Sequence, residues 1–306
     1  MNKRIVPACA LGTAALMLVS SVAVADQMQS GDIVVPPSEP APAAAPAPDC
    51  DCDDSPNQGN VSLAAGVDVW TAYFFRGIMQ ERDGAIVQPW AEIGLNLWES
   101  DNGQSLSVVA GTWNSVHSNK TGATNSPTNW YESDAYAGLS IGLNEFLTTD
   151  LAYIAYASPN GAFDTVQEFA VGLSIDDSIW LGDFAMNPSM TWAFELDNTR
   201  FGNEEGVYLE LGVEPGYELD NGISFSLPMT LGLAVDDYYE TPQGEDTFGF
   251  FQFGFAVGVP LPVDEKFGSW SATAAFHGIA LSGDLADANR RDGFFPMGMI
   301  GIAMEY

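Results

Sequence analysis

The sequence has 306 residues, in which 41 acidic side chains stand against 9 basic ones for a formal net charge of -32. So negative a chain repels a phosphate backbone, which excludes nucleic acid as a partner. Three cysteines are too few for a dense disulfide framework.

Taken in order, residues 1–25 place Lys3 and Arg4 ahead of an apolar run from Ala8 to Val19 and end on Ala23-Val24-Ala25. That order predicts a secretory signal peptide cleaved before Asp26. Losing Lys3 and Arg4 takes the net charge from -32 to -34. Cys9 lies too early in a poor lipoprotein box, so lipidation is not expected. No later stretch approaches the roughly 20 continuous apolar residues of a spanning helix. A membrane home would then require a closed barrel, the other form that satisfies every backbone group.

Residues 26–58 form a Pro/Ala/Asp-rich arm, expected to be disordered and periplasmic. Within it Cys50 and Cys52 sit among Asp49, Asp51, Asp53 and Asp54. Two thiols without histidine make a weak metal site, and they read as an incidental feature of a tether; no metal and no cofactor is expected.

From residue 59 to 306 the pattern changes to period two, which predicts strands. Leu63, Ala65, Val67 and Val69 alternate with Ser62, Gly66 and Asp68. Further runs follow around Val87 to Leu97, Leu106 to Gly111, Ala135 to Leu143, Phe169 to Ile175 and Met186 to Leu196. Val207 to Val213, Ile223 to Val235, Phe251 to Val259 and Trp270 to Ala280 continue the series. Leu147 to Ala157 is the least decisive run, because Leu151, Tyr153 and Ile154 do not share a face. The final run, Phe294 to Tyr306, sets Ile300, Ile302, Met304 and Tyr306 on one side and Gly301, Ala303 and Glu305 on the other.

Twelve runs are an even number, as a single-chain bacterial barrel with both termini on one side requires. Short connections (99–104, 144–145, 176–183, 218–222, 262–268) alternate with generally longer ones (76–84, 115–129, 236–247), an asymmetry of transmembrane barrels. Trp70, Tyr73, Trp98, Trp130, Tyr131, Trp180, Trp192, Tyr217, Tyr238, Tyr239 and Trp270 cluster near run ends, where interfacial girdles would hold them. Alternation by itself fits a soluble sandwich equally well. Secretion, strand number and the final aromatic Tyr306, which looks like the signal read by barrel-insertion machinery, favour an all-β antiparallel up-and-down barrel in a Gram-negative outer membrane, in contact with lipid and lipopolysaccharide.

The polar faces carry Asp68, Glu92, Glu132, Asp134, Glu168, Glu195, Asp197, Glu210 and Glu214, which with Arg76 of the first outer loop are the candidate lumen or constriction residues. Few basic residues oppose them, which predicts a cation-preferring wall. Arg76 falls on the first outer loop, Arg82, Lys120, Arg200, Arg290 and Arg291 form a basic outer rim, and Lys266 lies on the opposite side. Arg76 is equally readable as the partner of Glu132 or Asp134. Inward glycines leave room for a narrow channel, which the rings of Trp90, Trp98, Trp113 and Tyr136 could equally constrict. His117 in a loop and His277 beside Ser271 and Thr273 form no serine-histidine-carboxylate grouping, so no enzyme is expected.

Phe75-Arg76-Gly77-Ile78 with Gln80, in Ala72 to Gln80, and Tyr131-Glu132-x-Asp134 resemble the TorF-like putative porins, proteobacterial outer-membrane proteins. The resemblance extends over about residues 59–306 and implies pore formation. The expectation is therefore passive passage of small polar solutes or ions with cations favoured. A closed structural or surface-interaction barrel is the alternative, and an outer-membrane hydrolase a more remote one.

Overall fold

Strict alternation of apolar and polar residues in these segments builds strands, because successive side chains of an extended chain point to opposite faces. The computed structural model describes residues 60–306 apart from 101, 200–203, 242–243 and 290. The expected signal peptide, the arm with Cys50 and Cys52, and the rim candidates Arg200 and Arg290 lie outside the described residues.

Twelve long strands follow one another: β1 (Val61–Trp70), β2 (Ile86–Glu99), β3 (Ser105–His117), β4 (Trp130–Asn144), β5 (Leu147–Ala157) and β6 (Val166–Ile175), then β7 (Ser189–Asp197), β8 (Val207–Val213), β9 (Met229–Asp236), β10 (Phe248–Pro260), β11 (Ser269–Leu281) and β12 (Phe294–Glu305). Each pairs antiparallel with its neighbours in sequence, and β1 pairs with β12 from Ala64↔Glu305 to Trp70↔Met299, which closes an up-and-down barrel. Pro215 and Pro228 offer no N–H to the ladder. They interrupt the β8 and β9 hairpin, leaving Gly216–Glu218 and Ser224–Ser226 as short continuations past them.

Outward positions are apolar and open. Leu63, Ile93, Leu139, Phe255, Phe276 and Ile302 are all more than two-fifths exposed, while Asp68, Gln88, Ser107, Glu132, Ser140 and Asp150 are buried. Each such side chain left in water would cost about 1.5–3 kcal/mol, so this distribution belongs to a wall bathed in hydrocarbon. Closure removes the unpaired strand edges that hydrocarbon would penalise. The chain is a transmembrane β-barrel and not a sandwich.

Two bulges change expected faces. Between β2 and β3 the register steps from Asn96↔Ser107 to Trp98↔Leu106, so Trp98 points outward and is 52% exposed instead of lining the lumen. Between β6 and β7 it steps from Glu168↔Glu195 to Gln167↔Asp197, and Asp197 stands on the outer face accepting a hydrogen bond from Gln167 Nε2 at 2.8 Å. The inward glycines also differ from expectation. Across the register, Gly66 faces Trp90, Gly111 faces Tyr136, Gly232 faces Phe250 and Gly254 faces His277. A Cβ at any of them would lie 2.2–2.6 Å from the opposing ring, so these glycines let rings lie along the wall and do not simply widen a channel.

Leu139→Arg, at mid-height on the outer face of β4, should cost about 2–4 kcal/mol when unfolding is followed by tryptophan fluorescence in lipid. Wild-type stability in that variant would mean that the face is not in hydrocarbon.

Candidate functional site

The lumen at the long-loop end is filled by the first loop. Residues Tyr73–Phe75 and Ile78–Glu81 pair as a small hairpin, separate from the barrel sheet. Arg76 and Gly77 form its tip with φ values of 45° and 79°, the pattern of a two-residue turn with both central residues left-handed. Gly77 is required there on two counts: its φ, and a Cβ that would lie 3.0 Å from Leu285 Cδ1 and 3.1 Å from Phe250 Cδ1.

Tyr73, Phe74 and Phe75 are at most 1% exposed, an apolar load worth about 1.5–3 kcal/mol each. Phe74 packs on Phe295 at 5.0 Å, Phe75 on Tyr156 at 5.3 Å and Tyr73 on Trp113 at 5.5 Å. These wall positions are inward and apolar, which explains the broken alternation of β5: Ile154 and Tyr156 face the hairpin while Tyr153 faces out.

Arg76, expected on an outer loop and as a lumen or constriction candidate, is fully buried. Its partner is neither Glu132 nor Asp134. Arg76 Nη1 and Nη2 donate to Glu168 Oε2 and Oε1 at 2.6 and 2.8 Å, and Nη1 also donates to the Tyr238 hydroxyl at 2.8 Å. The guanidinium lies 4.3 Å from the Tyr208 ring centre, and the Tyr239 hydroxyl donates to the Arg76 carbonyl at 3.0 Å. Tyr156 donates to Glu168 Oε1 at 3.2 Å. A guanidinium taken out of water needs this kind of fork-to-fork carboxylate contact. Burial pushes the Tyr238 and Tyr239 phenols well above their usual pKa, although nearby Arg76 acts in the opposite direction, so both stay neutral. From the opposite side, Asn289 Nδ2 donates to the Gly77 carbonyl at 2.7 Å and its Oδ1 accepts from Met79 N–H at 2.7 Å, placed by the short helix Gly283–Ala288.

The two resembling motifs meet here. Tyr73 donates to Glu132 Oε2 at 2.9 Å, and the Tyr131 hydroxyl donates to Gln80 Oε1. Next to them runs a chain the sequence reading missed. His117 is the last residue of β3, not a loop residue; its Nε2 is 2.9 Å from Ser115 Oγ and its Nδ1 2.8 Å from Thr121 Oγ1. Thr121 donates to Glu81 Oε2 at 2.5 Å. With that hydroxyl proton committed to Glu81, Nδ1–H donates to Thr121 and Nε2 accepts from Ser115. A serine-histidine-carboxylate chain thus exists, contrary to expectation, because residues two apart on β3 share a face and loop residues complete it. Ser115 is fully buried, so no substrate reaches its Oγ while the hairpin is in place. The chain ties the hairpin to β3.

The remaining candidates are inward and mostly tied to hydroxyl or amide donors. Tyr136 donates to Glu92 at 2.9 Å, Tyr208 to Glu210 at 2.6 Å and Gly206 N–H to Glu195 at 2.9 Å. Asp134 is buried, Asp68 lies against Gly301, and Glu214 is buried just beyond β8. Asp150, unexpected from the sequence, accepts from Ser140 at 2.7 Å. Of the aromatics expected at interfaces, Trp98, Trp130, Trp180 and Tyr217 are exposed, whereas Trp70, Tyr73, Tyr131, Tyr238 and Tyr239 are inside. On the rim, Arg82 is 3.6 Å from Asp292, Arg291 is 4.0 Å from Asp287 and Lys120 is exposed; Lys266 meets Asp264 at the other end. Tyr306 exchanges backbone hydrogen bonds with Leu63.

A family model described as "Bacterial protein of unknown function (Gcw_chp)" matches residues 54–239, more than half of the chain. The chain belongs to this family. Within the Gcw_chp match fall the hairpin, Glu132, Glu168 and Tyr208. A search of curated proteins found no match. Among solved structures, the chain is similar to an outer-membrane channel from Pseudomonas putida F1, with 11% identity, a TM-score of 0.45 and coverage of 80% of this chain and 95% of that one. For the KdgM porin the values are 7% identity, 0.40, 79% and 98%, and for the NanC porin 13%, 0.37, 80% and 98%.

Glu168→Ala strands a buried guanidinium and should cost roughly 3–5 kcal/mol in equilibrium unfolding, with little dependence on salt. The loss should shrink in an Arg76→Gly background. A second expectation concerns acid. Burial alone would raise the pKa of Glu81, but hydrogen bonds from Thr121 and from the N–H groups of Asp83 and Arg82 outweigh it and hold the carboxyl below the usual value. A lowered folded pKa stabilises above the unfolded value of about 4.3 and is lost as pH falls through the folded value. Glu81→Gln should flatten this acid limb in pH titrations of stability.

Proposed function

We propose that the protein is an outer-membrane channel for passive passage of small polar solutes or ions, cations favoured, whose lumen is closed at rest by its own first loop. The observation that carries this reading is the origin of the obstruction. It is a hairpin entering from a loop, with its own sheet and a single strained tip, whereas large rings of the wall lie flat against inward glycines. Toward the other end the inner face is small and polar, with Ser107, Ser140, Thr191, Thr230 and Gly212 accompanied by Glu92, Asp150 and Glu210. Such a lining attracts cations. The resemblance of the hairpin and its Tyr131 to Asp134 contact to TorF-like porins points the same way. The rim bases Arg82, Lys120 and Arg291 suit lipopolysaccharide phosphates, and Tyr306 suits recognition by insertion machinery.

One observation favours a second reading, a permanently closed structural barrel: the hairpin carries a buried ion pair and three buried aromatics, a costly set to withdraw. Planar-bilayer recording separates the two. The wild-type protein should give small or intermittent currents, and a variant with residues 73–81 replaced by a short Gly/Ser link should give larger, steady, cation-selective ones. Silence from both proteins would establish the structural reading, and anion selectivity would refute the role assigned to the carboxylates.

A further inference from the structure

We infer that the socket around Arg76 is a receptor for guanidinium cations, which the protein's own arginine fills in the closed state. The inference rests on the channel reading for its physiological sense, but the receptor itself stands on geometry. Most of the contacts to the guanidinium come from outside the hairpin: Glu168 from β6, Tyr208 from β8, and Tyr238 from the loop after β9. Withdrawing the hairpin removes Arg76 and Phe75 but leaves these in place.

What they would then offer is specific in shape. Two carboxylate oxygens receive two different nitrogens at 2.6 and 2.8 Å, a third acceptor sits 2.8 Å from one of them, and an aromatic face lies 4.3 Å away. A planar fork of N–H donors satisfies both oxygens and stacks on the ring at the same time. A tetrahedral ammonium cannot do both, and a hydrated sodium ion makes no use of the ring face. Tyr156, donating to Glu168 Oε1 at 3.2 Å, fixes the carboxylate in the plane the fork needs. The site also carries a reason for exchange. Arg76 occupies it at φ 45°, a left-handed backbone unfavourable for a side-chain-bearing residue, so a free guanidinium binds without the strain that the tethered one carries.

The solute class this assigns to the channel is small guanidinium compounds, free arginine among them. The test uses Arg76→Gly, which empties the socket and relieves the turn, with Arg76→Asn as a second variant because asparagine tolerates the left-handed region. Guanidinium and methylguanidinium chloride at millimolar concentration should raise the thermal unfolding temperature of the variant in detergent, by mass action on the folded state. Sodium and tetramethylammonium at equal ionic strength should not, the wild-type protein should shift much less because guanidinium must first displace Arg76, and adding Glu168→Gln should abolish the effect. In bilayers the same guanidinium salts should reduce the potassium current of the variant roughly tenfold more than sodium does. Equal unfolding temperatures in guanidinium and sodium overturn the receptor, whatever the current does. Guanidinium-specific stabilisation in a variant that never conducts upholds the receptor and removes the channel reading. Should neither variant fold, guanidinium competing with Arg76 should lengthen the open time of the wild-type channel, and equal effects of guanidinium and sodium there refute the receptor.

Discussion

Hydrocarbon cannot hydrogen-bond a peptide group, and every level of this structure follows from that constraint. It forces each strand to be paired on both sides, so β12 must return to β1 and the strand number must come out even for the chain ends to lie together. It also inverts the usual distribution of side chains: Leu, Ile and Phe go outward on alternate positions, and the carboxylates go inside. A barrel that is polar inside then faces a second difficulty. Its inner charges must be hydrogen-bonded wherever water is excluded.

The protein meets this with tyrosines and one arginine. Tyr73, Tyr136, Tyr156 and Tyr208 each donate to an inward glutamate, so those carboxylates are anchored parts of the wall. Glu168 alone among the described carboxylates receives a buried guanidinium, and that guanidinium arrives on a loop. The consequence is a barrel with two halves of different character. Around the hairpin the lumen is an aromatic core, comparable to the interior of a soluble domain; beyond it the wall is small, polar and acidic. Closure of the lumen is thus a property of the first loop and its socket.

The hydrogen-bond chain from Ser115 through His117 and Thr121 to Glu81 shows how far local chemistry depends on its surroundings. The same groups in an open cleft would suit proton transfer to a substrate. With Ser115 and His117 buried behind Tyr73 and Tyr131, they link the hairpin to β3 at the place where the strand ends.

The sequence by itself determined twelve alternating segments, which faces of most of them are apolar, and hence a closed antiparallel barrel, because period two is a local property of each strand. It also marked Arg76, Glu132 and Glu168 as notable, though not as to which touches which. Only the tertiary structure decided that residues 73–81 turn inward, that Arg76 meets Glu168 across 92 positions of sequence, and that Tyr238 and Tyr239 are lumen residues instead of girdle residues. A strand's inner face reads as polar only while it faces water; where it faces the hairpin, as at Ile154, Tyr156 and Phe250, it becomes apolar and the alternation disappears. Bulges at Leu97 and Leu196 shift parity by one residue and send Trp98 and Asp197 outward. Such shifts arise from pairing between strands, which no single segment encodes.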